Sequence, residues 1–231
     1  VPDFANPSGE TLTLDQRRAL LALARELDVP VIDESPYSAL RYSGEEVASL
    51  QALDLETCGG IENSRVIHCG SFSKVFTPGL RVGWACGSRE IISRLTLIKQ
   101  ASDLNSPAIN QAVMHHLAST MYDRQVDKVR ASYRRKRDAM LAALDVHMPA
   151  GTTWSRPEGG MFIWVTLPGD IDTDALLPKV VESANVAYVP GHAFHADGSG
   201  RNTLRLSFSL PEPEEITDGI ERLGKALSAH L

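Results

Sequence analysis

The chain has 231 residues, 43% of them hydrophobic, enough to bury one large core or two modest ones. Its 29 acidic side chains outnumber 23 basic ones, which argues against a non-specific nucleic-acid surface. No apolar run reaches bilayer length and no signal peptide is recognisable, while three cysteines (Cys58, Cys69, Cys86) without C-x-x-C spacing suggest neither a disulfide framework nor zinc; the compartment this implies is a reducing cytoplasm.

In chain order, Asn6-Pro7 and Ser8-Gly9 are turn signals. Thr13-Leu14-Asp15-Gln16 is a capping box that predicts a helix to about Leu27, with Leu20, Leu23, Ala24 and Leu27 as its apolar stripe. Val29-Pro30-Val31-Ile32 reads as a buried strand ending in two acids, Asp33 and Glu34, at the end of a parallel strand where α/β folds build sites. Successive strand side chains point to opposite faces, so both acids cannot serve one ligand unless the strand has already ended. Tyr37, taken alone, is an ordinary half-buried aromatic, and residues 41–63 read as a surface connection without a motif.

A second short strand, Val66-Ile67-His68-Cys69, empties into Gly70-Ser71-Phe72-Ser73-Lys74, followed by a Pro78-Gly79 turn and Arg81. A lysine at the mouth of a buried strand is either a solvated loop residue or an amine whose pKa is lowered for nucleophilic work. Residues 81–86 read as another strand, in which Cys86, like Cys69, is expected in the core. Residues 90–100 read as helix, and 102–107 as a polar break.

A long helix over about 122–146 carries Arg130, Arg134, Arg135, Lys136 and Arg137; acids interleave, so these are expected to form a solvated face. The pair His115-His116 on a preceding helical segment is read as surface or packing. Strands are predicted at 159–165, 186–191 and 203–209, and a closing helix buries Ile216, Ile220, Leu223 and Leu227. His192 and His195 are expected in a loop with no metal. Arg205 falls inside an alternating strand, where a charge needs a partner. Strands alternating with helices in the first half imply a parallel sheet with crossover helices.

Four ordered stretches resemble the class I aminotransferases, enzymes of fold type I that depend on pyridoxal 5'-phosphate (PLP), in the branch of 2-aminoadipate/kynurenine-type and related broad-specificity enzymes. They are residues 2–9 (Pro-Asp-Phe-Ala-Asn-Pro-Ser-Gly), 31–37 (Val-Ile-Asp-Glu-Ser-Pro-Tyr), the Ser-Phe-Ser-Lys and Pro-Gly-Leu-Arg segment at 71–81, and 202–208 (Asn-Thr-Leu-Arg-Leu-Ser-Phe). The resemblance implies an α/β fold: a partial, parallel-rich sheet of the large PLP-binding domain over 1–120, then a smaller α+β domain over 121–231 opened by a long linking helix. The first residues already match the middle of the family pattern, so the sequence is expected to be a C-terminal portion, inactive alone.

The resemblance also implies roles. Lys74 would form a Schiff base with PLP and move the proton at the substrate Cα. Ser71, Ser73 and Arg81 would hold the phosphate, Arg81 through a charge-assisted fork. Asn6 and Tyr37 would hydrogen-bond the phenolic oxygen. A carboxylate would pair with the pyridine nitrogen, which keeps the ring an electron sink. The family places that carboxylate three residues before the tyrosine, which here is Glu34, but as an aspartate, which here is Asp33; both stay candidates. Arg205, with Asn6, would bind the substrate carboxylate. The implied reaction moves an amino group from an amino acid to a 2-oxo acid, 2-oxoglutarate being expected, in a cytoplasmic homodimer with no metal, membrane or nucleic-acid partner for this segment. Two other readings use the same residues: the ligand-sensing domain of a winged-helix transcription regulator, and a PLP-dependent lyase. The Pro36-Tyr37 context and Arg205 favour the aminotransferase.

Overall fold

The structure is a computed structural model in which residues 1–230 are described. The chain divides into two compact units, one of residues 1–3 and 11–129, the other of residues 4–10 and 130–231.

In the first unit, helix α1 (Leu14–Glu26) starts at the expected capping box: the Thr13 hydroxyl accepts from the Gln16 N–H, and the Gln16 side chain accepts from the Thr13 N–H. Its buried face differs from the expected stripe. Arg17, Leu21 and Ala24 are buried, whereas Leu20, Leu23 and Leu27 are exposed. The reason is Arg17, which is 0% exposed and places a cation on the inner face. Its guanidinium donates to the Asp3 carboxylate at 2.7 Å and to the Leu12 and Ala48 carbonyls at 3.0 Å, and Arg41 also reaches Asp3. A buried charge survives only when its donors are used in this way.

Strand β1 (Val31–Glu34) runs parallel to β2 (Val66–Ser71), and β2 pairs antiparallel with β3 (Gly83–Cys86), giving the order β1-β2-β3. Between β1 and β2 the expected motif-free connection contains a helix, α2 (Leu50–Cys58), capped by Ser49. Leu50 and Leu53 join Leu21, Val66 and Val31 in an apolar cluster. The α2 residue Asp54 is buried against Arg25, the Ser64 hydroxyl and the Arg65 N–H. Burial pushes its carboxyl up, but these hydrogen bonds outweigh that and hold its pKa below the ordinary value. All four residues of β3 are exposed, so Cys86 is not the core residue expected, and Cys69 is only half-buried. Helix α3 (Arg89–Ser102) follows the Ser88 cap. Helix α4 (Ala108–His147) is one continuous helix of 40 residues that starts well before the expected position and includes His115 and His116. None of the described helices is long and apolar enough to cross a membrane.

The second unit holds an antiparallel sheet of order β4-β5-β7-β6, built from β4 (Thr153–Trp154), β5 (Phe162–Thr166), β6 (Val189–Pro190) and β7 (Thr203–Ser207). Helices α5 (Thr173–Ala184) and α6 (Pro213–Ser228) complete it. The alternation is plain in β5 and β7: Ile163, Val165, Leu204 and Leu206 are buried, while Phe162, Trp164 and Arg205 share the half-buried face. In α6, Ile216, Ile220, Leu223 and Leu227 are buried as expected. β6 is shorter than predicted: it starts only at Val189, and at its other end Gly191 opens a 3-10 turn. The basic stretch of α4 is not simply a solvated face. Lys136 is buried and ion-pairs with Glu212 at 3.0 Å, and Arg137 is buried with its guanidinium on the Pro157 carbonyl and the neighbouring Asp138. Gly160 has φ +77°, and a Cβ there would lie 2.7 Å from that of Phe4, so both backbone and space require glycine.

Candidate active site

The candidate residues of the first unit gather at the carboxyl ends of β1 and β2. The parallel register pairs Asp33 with His68 and Glu34 with Cys69. Directly paired residues project from the same face of a sheet, and neighbours along a strand from opposite faces. Asp33 therefore shares one face with Val31, Val66 and His68, together with Trp84, whose indole packs against His68 at 5.0 Å and covers Gly70. Glu34 projects from the other face with Cys69 and Ser71 and is exposed.

The two acids have different surroundings. Asp33 is 0% exposed, and its carboxylate oxygens accept from the Ser35 hydroxyl at 2.8 Å and lie 2.8 Å from His68 Nδ1. Burial raises its pKa, but the hydrogen bonds from His68 and Ser35, with the charges of His68 and Arg17, more than offset this and hold the carboxyl below its ordinary value. The thiol of Cys69 is pushed up, first by burial and then by the negative charges of Glu34 and Asp33.

Residues 71–81 form a loop that closes on itself. The Phe72 N–H donates to the Val82 carbonyl at 3.2 Å, the Ser73 N–H to the Ser71 hydroxyl at 3.1 Å, and the Phe76 N–H to the Phe72 carbonyl at 2.9 Å. Buried Val75 anchors it beside Lys74. Two α4 side chains tie the loop down: the Gln125 amide donates to the Val75 carbonyl and the Asn110 amide to the Leu80 carbonyl, each at 3.0 Å. The Lys74 ammonium lies 5.9 Å from the centre of the buried Tyr37 ring. Arg81 ends the 3-10 turn over residues 78–80 with φ +53°, its guanidinium donating to the Pro78 carbonyl and otherwise open to solvent. One loop thus carries two serine hydroxyls, an amine and a guanidinium.

The second unit holds the remaining two candidates, and they touch. Arg205, opposite Trp164 in the β5–β7 ladder, donates to the Asn6 side-chain oxygen at 2.6 Å. Its guanidinium lies 4.1 Å from the Phe162 ring centre and 5.3 Å from that of Phe194. Phe194 is braced in turn by an edge-to-face contact with Trp164 at 5.7 Å. Asn6 occupies a turn closed by the Gly9 N–H on the Ala5 carbonyl at 2.7 Å. The partner that Arg205 needs inside its strand is thus an amide and an aromatic sandwich. His195 is occupied by the Ser199 hydroxyl at 3.0 Å.

Sequence reasoning missed His68, Asn110, Gln125, Phe162 and Phe194. A signal existed for Phe162, which stands in phase with Arg205's face, and for His68, a polar residue within an apolar strand. The two amides of α4 had none.

Comparison with known proteins adds the following. The family described as "Aminotransferase class I and II" matches residues 4–223. Over its whole length the chain is 40% identical to aromatic-amino-acid aminotransferase 1 of Thermococcus litoralis, covering 54% of that protein. It is 39% identical to the 2-aminoadipate transaminase of Thermus thermophilus, covering 57%. Among solved structures, a kynurenine aminotransferase of Pyrococcus horikoshii, in complex with PMP, kynurenine and its product, superposes with a TM-score of 0.93 at 41% identity, over all of this chain and 55% of that one. The chain therefore spans about half the length of the relatives it matches.

Proposed function

We propose that this chain, which belongs to the aminotransferase class I and II family, serves a PLP-dependent aminotransferase that moves the amino group of an amino acid to a 2-oxo acid, with 2-oxoglutarate as acceptor. The observation that supports the reading is the closed loop of residues 71–81 that follows β2 and carries Ser71, Ser73, Lys74 and Arg81 within eleven residues.

That donor set fits the cofactor chemically. A phosphate group asks for hydroxyl and guanidinium donors, which Ser71, Ser73 and Arg81 supply; Arg81's left-handed backbone turns it out of the strand that follows. Tyr37 supplies a hydroxyl for a phenolic oxygen, and the end of β1 a carboxylate for a ring nitrogen. Bound, PLP supplies an electron-withdrawing ring that acidifies the Cα–H of an attached amino acid. Lys74 would hold the cofactor covalently and would then act as the base at the substrate Cα–H. By the resemblance, Arg205, whose guanidinium is oriented by its contact with the Asn6 side-chain oxygen, would take the α-carboxylate of the amino acid, and Asn6 would serve the phenolic oxygen. The chain's relatives support the 2-aminoadipate and kynurenine type or a related broad-specificity branch, and the intact protein is a cytoplasmic homodimer. Residues 1–120 contribute to the PLP-binding domain and 121–231 form the small one.

The test is a visible absorption spectrum of the full-length protein with PLP, followed by borohydride reduction and peptide mass spectrometry. The reading expects a PLP-dependent band, reductive labelling at Lys74, and bleaching of the band by glutamate. Labelling at another lysine, or a band that no amino acid changes, refutes it.

A further inference from the structure

We infer that Asn110 and Gln125, two amides on α4, are positioning residues that divide the lysine loop between them: Gln125 fixes Lys74 for its work on the proton, and Asn110 fixes Arg81 for its hold on the phosphate. The inference rests on the PLP reading above and deepens it.

Left to itself, the backbone around Lys74 is weakly held. After β2 the chain makes a single turn in which the Val75 and Phe76 N–H groups both donate to the Phe72 carbonyl, at 3.3 and 2.9 Å, and Lys74 stands on that turn. One turn is too short to hold helical geometry without outside contacts, and its last carbonyls have no partner within it. The Gln125 amide supplies a partner, donating to the Val75 carbonyl at 3.0 Å. Carbonyl 75 and N–H 76 belong to one planar peptide unit, so that unit is gripped at both edges, by Gln125 on one side and by the Phe72 carbonyl on the other. The ring of Tyr122, also on α4, lies 6.1 Å from that of Phe76 and packs the same turn.

The other end of the loop repeats the device. The Arg81 N–H donates to the Pro78 carbonyl at 3.2 Å, and the Leu80 carbonyl, on the same peptide unit, accepts from the Asn110 amide at 3.0 Å. Arg81 has φ +53°, a left-handed conformation that costs a residue with a side chain and persists only where its surroundings enforce it. The pinned peptide immediately before it provides that enforcement. Positions 110 and 125 lie on one continuous helix, about 22 Å and little more than about four turns apart. Both grips therefore refer the loop to a single straight element, and each acts at a different place. Losing the Gln125 bond frees the peptide beside Lys74 and leaves Arg81 pinned; losing the Asn110 bond does the reverse.

The experiment uses the full-length protein and reads two quantities: the PLP dissociation constant by equilibrium dialysis, and the rate at which saturating glutamate bleaches the PLP-dependent band when PLP is also saturating. Gln125→Met keeps the length of the side chain and removes the donor. It is expected to slow bleaching about tenfold or more, since a misplacement of about 1 Å can cost about 100-fold, while the PLP dissociation constant stays within about twofold. Gln125→His, whose ring Nε2–H can donate from a similar reach, is expected to recover most of the rate. Asn110→Ala is expected to raise the PLP dissociation constant about fivefold, the loss of one hydrogen bond, with the bleaching rate within about twofold of wild type. Should Gln125→Met not fold, Gln125→Glu, which sets an acceptor against the Val75 carbonyl, takes its place with the same expectation. A wild-type rate in the Gln125 variant overturns the assignment while leaving the PLP reading intact. So does a Gln125→His rate as low as that of Gln125→Met, or an equal loss of rate and affinity in both the Gln125 and the Asn110 variants. Failure of the wild type to bind PLP overturns the PLP reading itself, and the assignment with it.

Discussion

Replacing Arg205 with lysine keeps the charge and removes what the structure builds around it. The guanidinium lies at 4.1 and 5.3 Å from two ring centres and donates to Asn6 at 2.6 Å. A guanidinium can stack on an aromatic face while its edge nitrogens bond in plane; an ammonium is a point donor without an edge. Under the proposed role, lysine would keep only one of two parallel hydrogen bonds to a substrate carboxylate, and the Asn6 contact would no longer set the orientation. A hydrogen bond to a charged group contributes about 1.5–3 kcal/mol, so kcat/KM for the amino-acid half-reaction should fall roughly 10- to 100-fold. PLP affinity, which the proposed role does not involve, should not change. The assay is the rate of spectral change on mixing the PLP-loaded protein with increasing glutamate, run beside dialysis for the cofactor. A kcat/KM within about twofold of wild type would show that Arg205 does not hold the carboxylate as a fork, and an equal loss of PLP binding would show instead that the change damages the fold.

Three further outcomes are expected. Arg17→Met removes the nearer of the two guanidinium partners of the buried Asp3 carboxylate, leaving it only Arg41 at 3.3 Å, and leaves the Leu12 and Ala48 carbonyls without their donor, so the free energy of urea unfolding should drop by about 3–5 kcal/mol, with part recovered in the Arg17→Met/Asp3→Asn double variant. Asp33 has a pKa held below its unfolded value, so its contribution to stability is present above about pH 4 and lost as pH falls through the lower folded value; stability measured from about pH 5 to about pH 2 should decline less steeply in Asp33→Asn than in wild type. Gly160→Ala combines a positive φ with a Cβ in contact with Phe4 and should cost about 1–3 kcal/mol in the same unfolding assay.

The chemistry-bearing stretches were legible because each is local. A capping box, an acid-rich strand end and a Ser-x-Ser-Lys loop closing on Arg81 are all read within about a dozen residues, and the structure forms each of them. Polar interiors were not legible. Counting apolar residues put the inner face of α1 on Leu20, Leu23 and Leu27, because nothing local to Arg17 reveals that Asp3 and the Leu12 and Ala48 carbonyls will receive it. Helix α2 escaped for the same reason: Gln51 and Asp54 lie on its buried side, where Gln51 donates to the Val66 and Cys86 carbonyls. In α4, Lys136 and Arg137 looked solvated until Glu212, Leu210 and Pro157 came into view. Arg205 announced a need for a partner, but Asn6 stands 199 positions away and no pattern joins them.

The two acids of β1 show how far residue identity can mislead when backbone phase decides. Moving a carboxylate by one position along a strand transfers it to the other face of the sheet, a larger displacement than the single methylene that distinguishes glutamate from aspartate. A ligand on the exposed face of β1 would therefore meet Glu34, and one on the opposite face Asp33. The inner position is fully buried and bounded by His68 and Ser35 at 2.8 Å, so it selects the shorter acid on volume as well as charge. The buried position is thus matched to the shorter acid, while the exposed position of Glu34 sets no such limit on length.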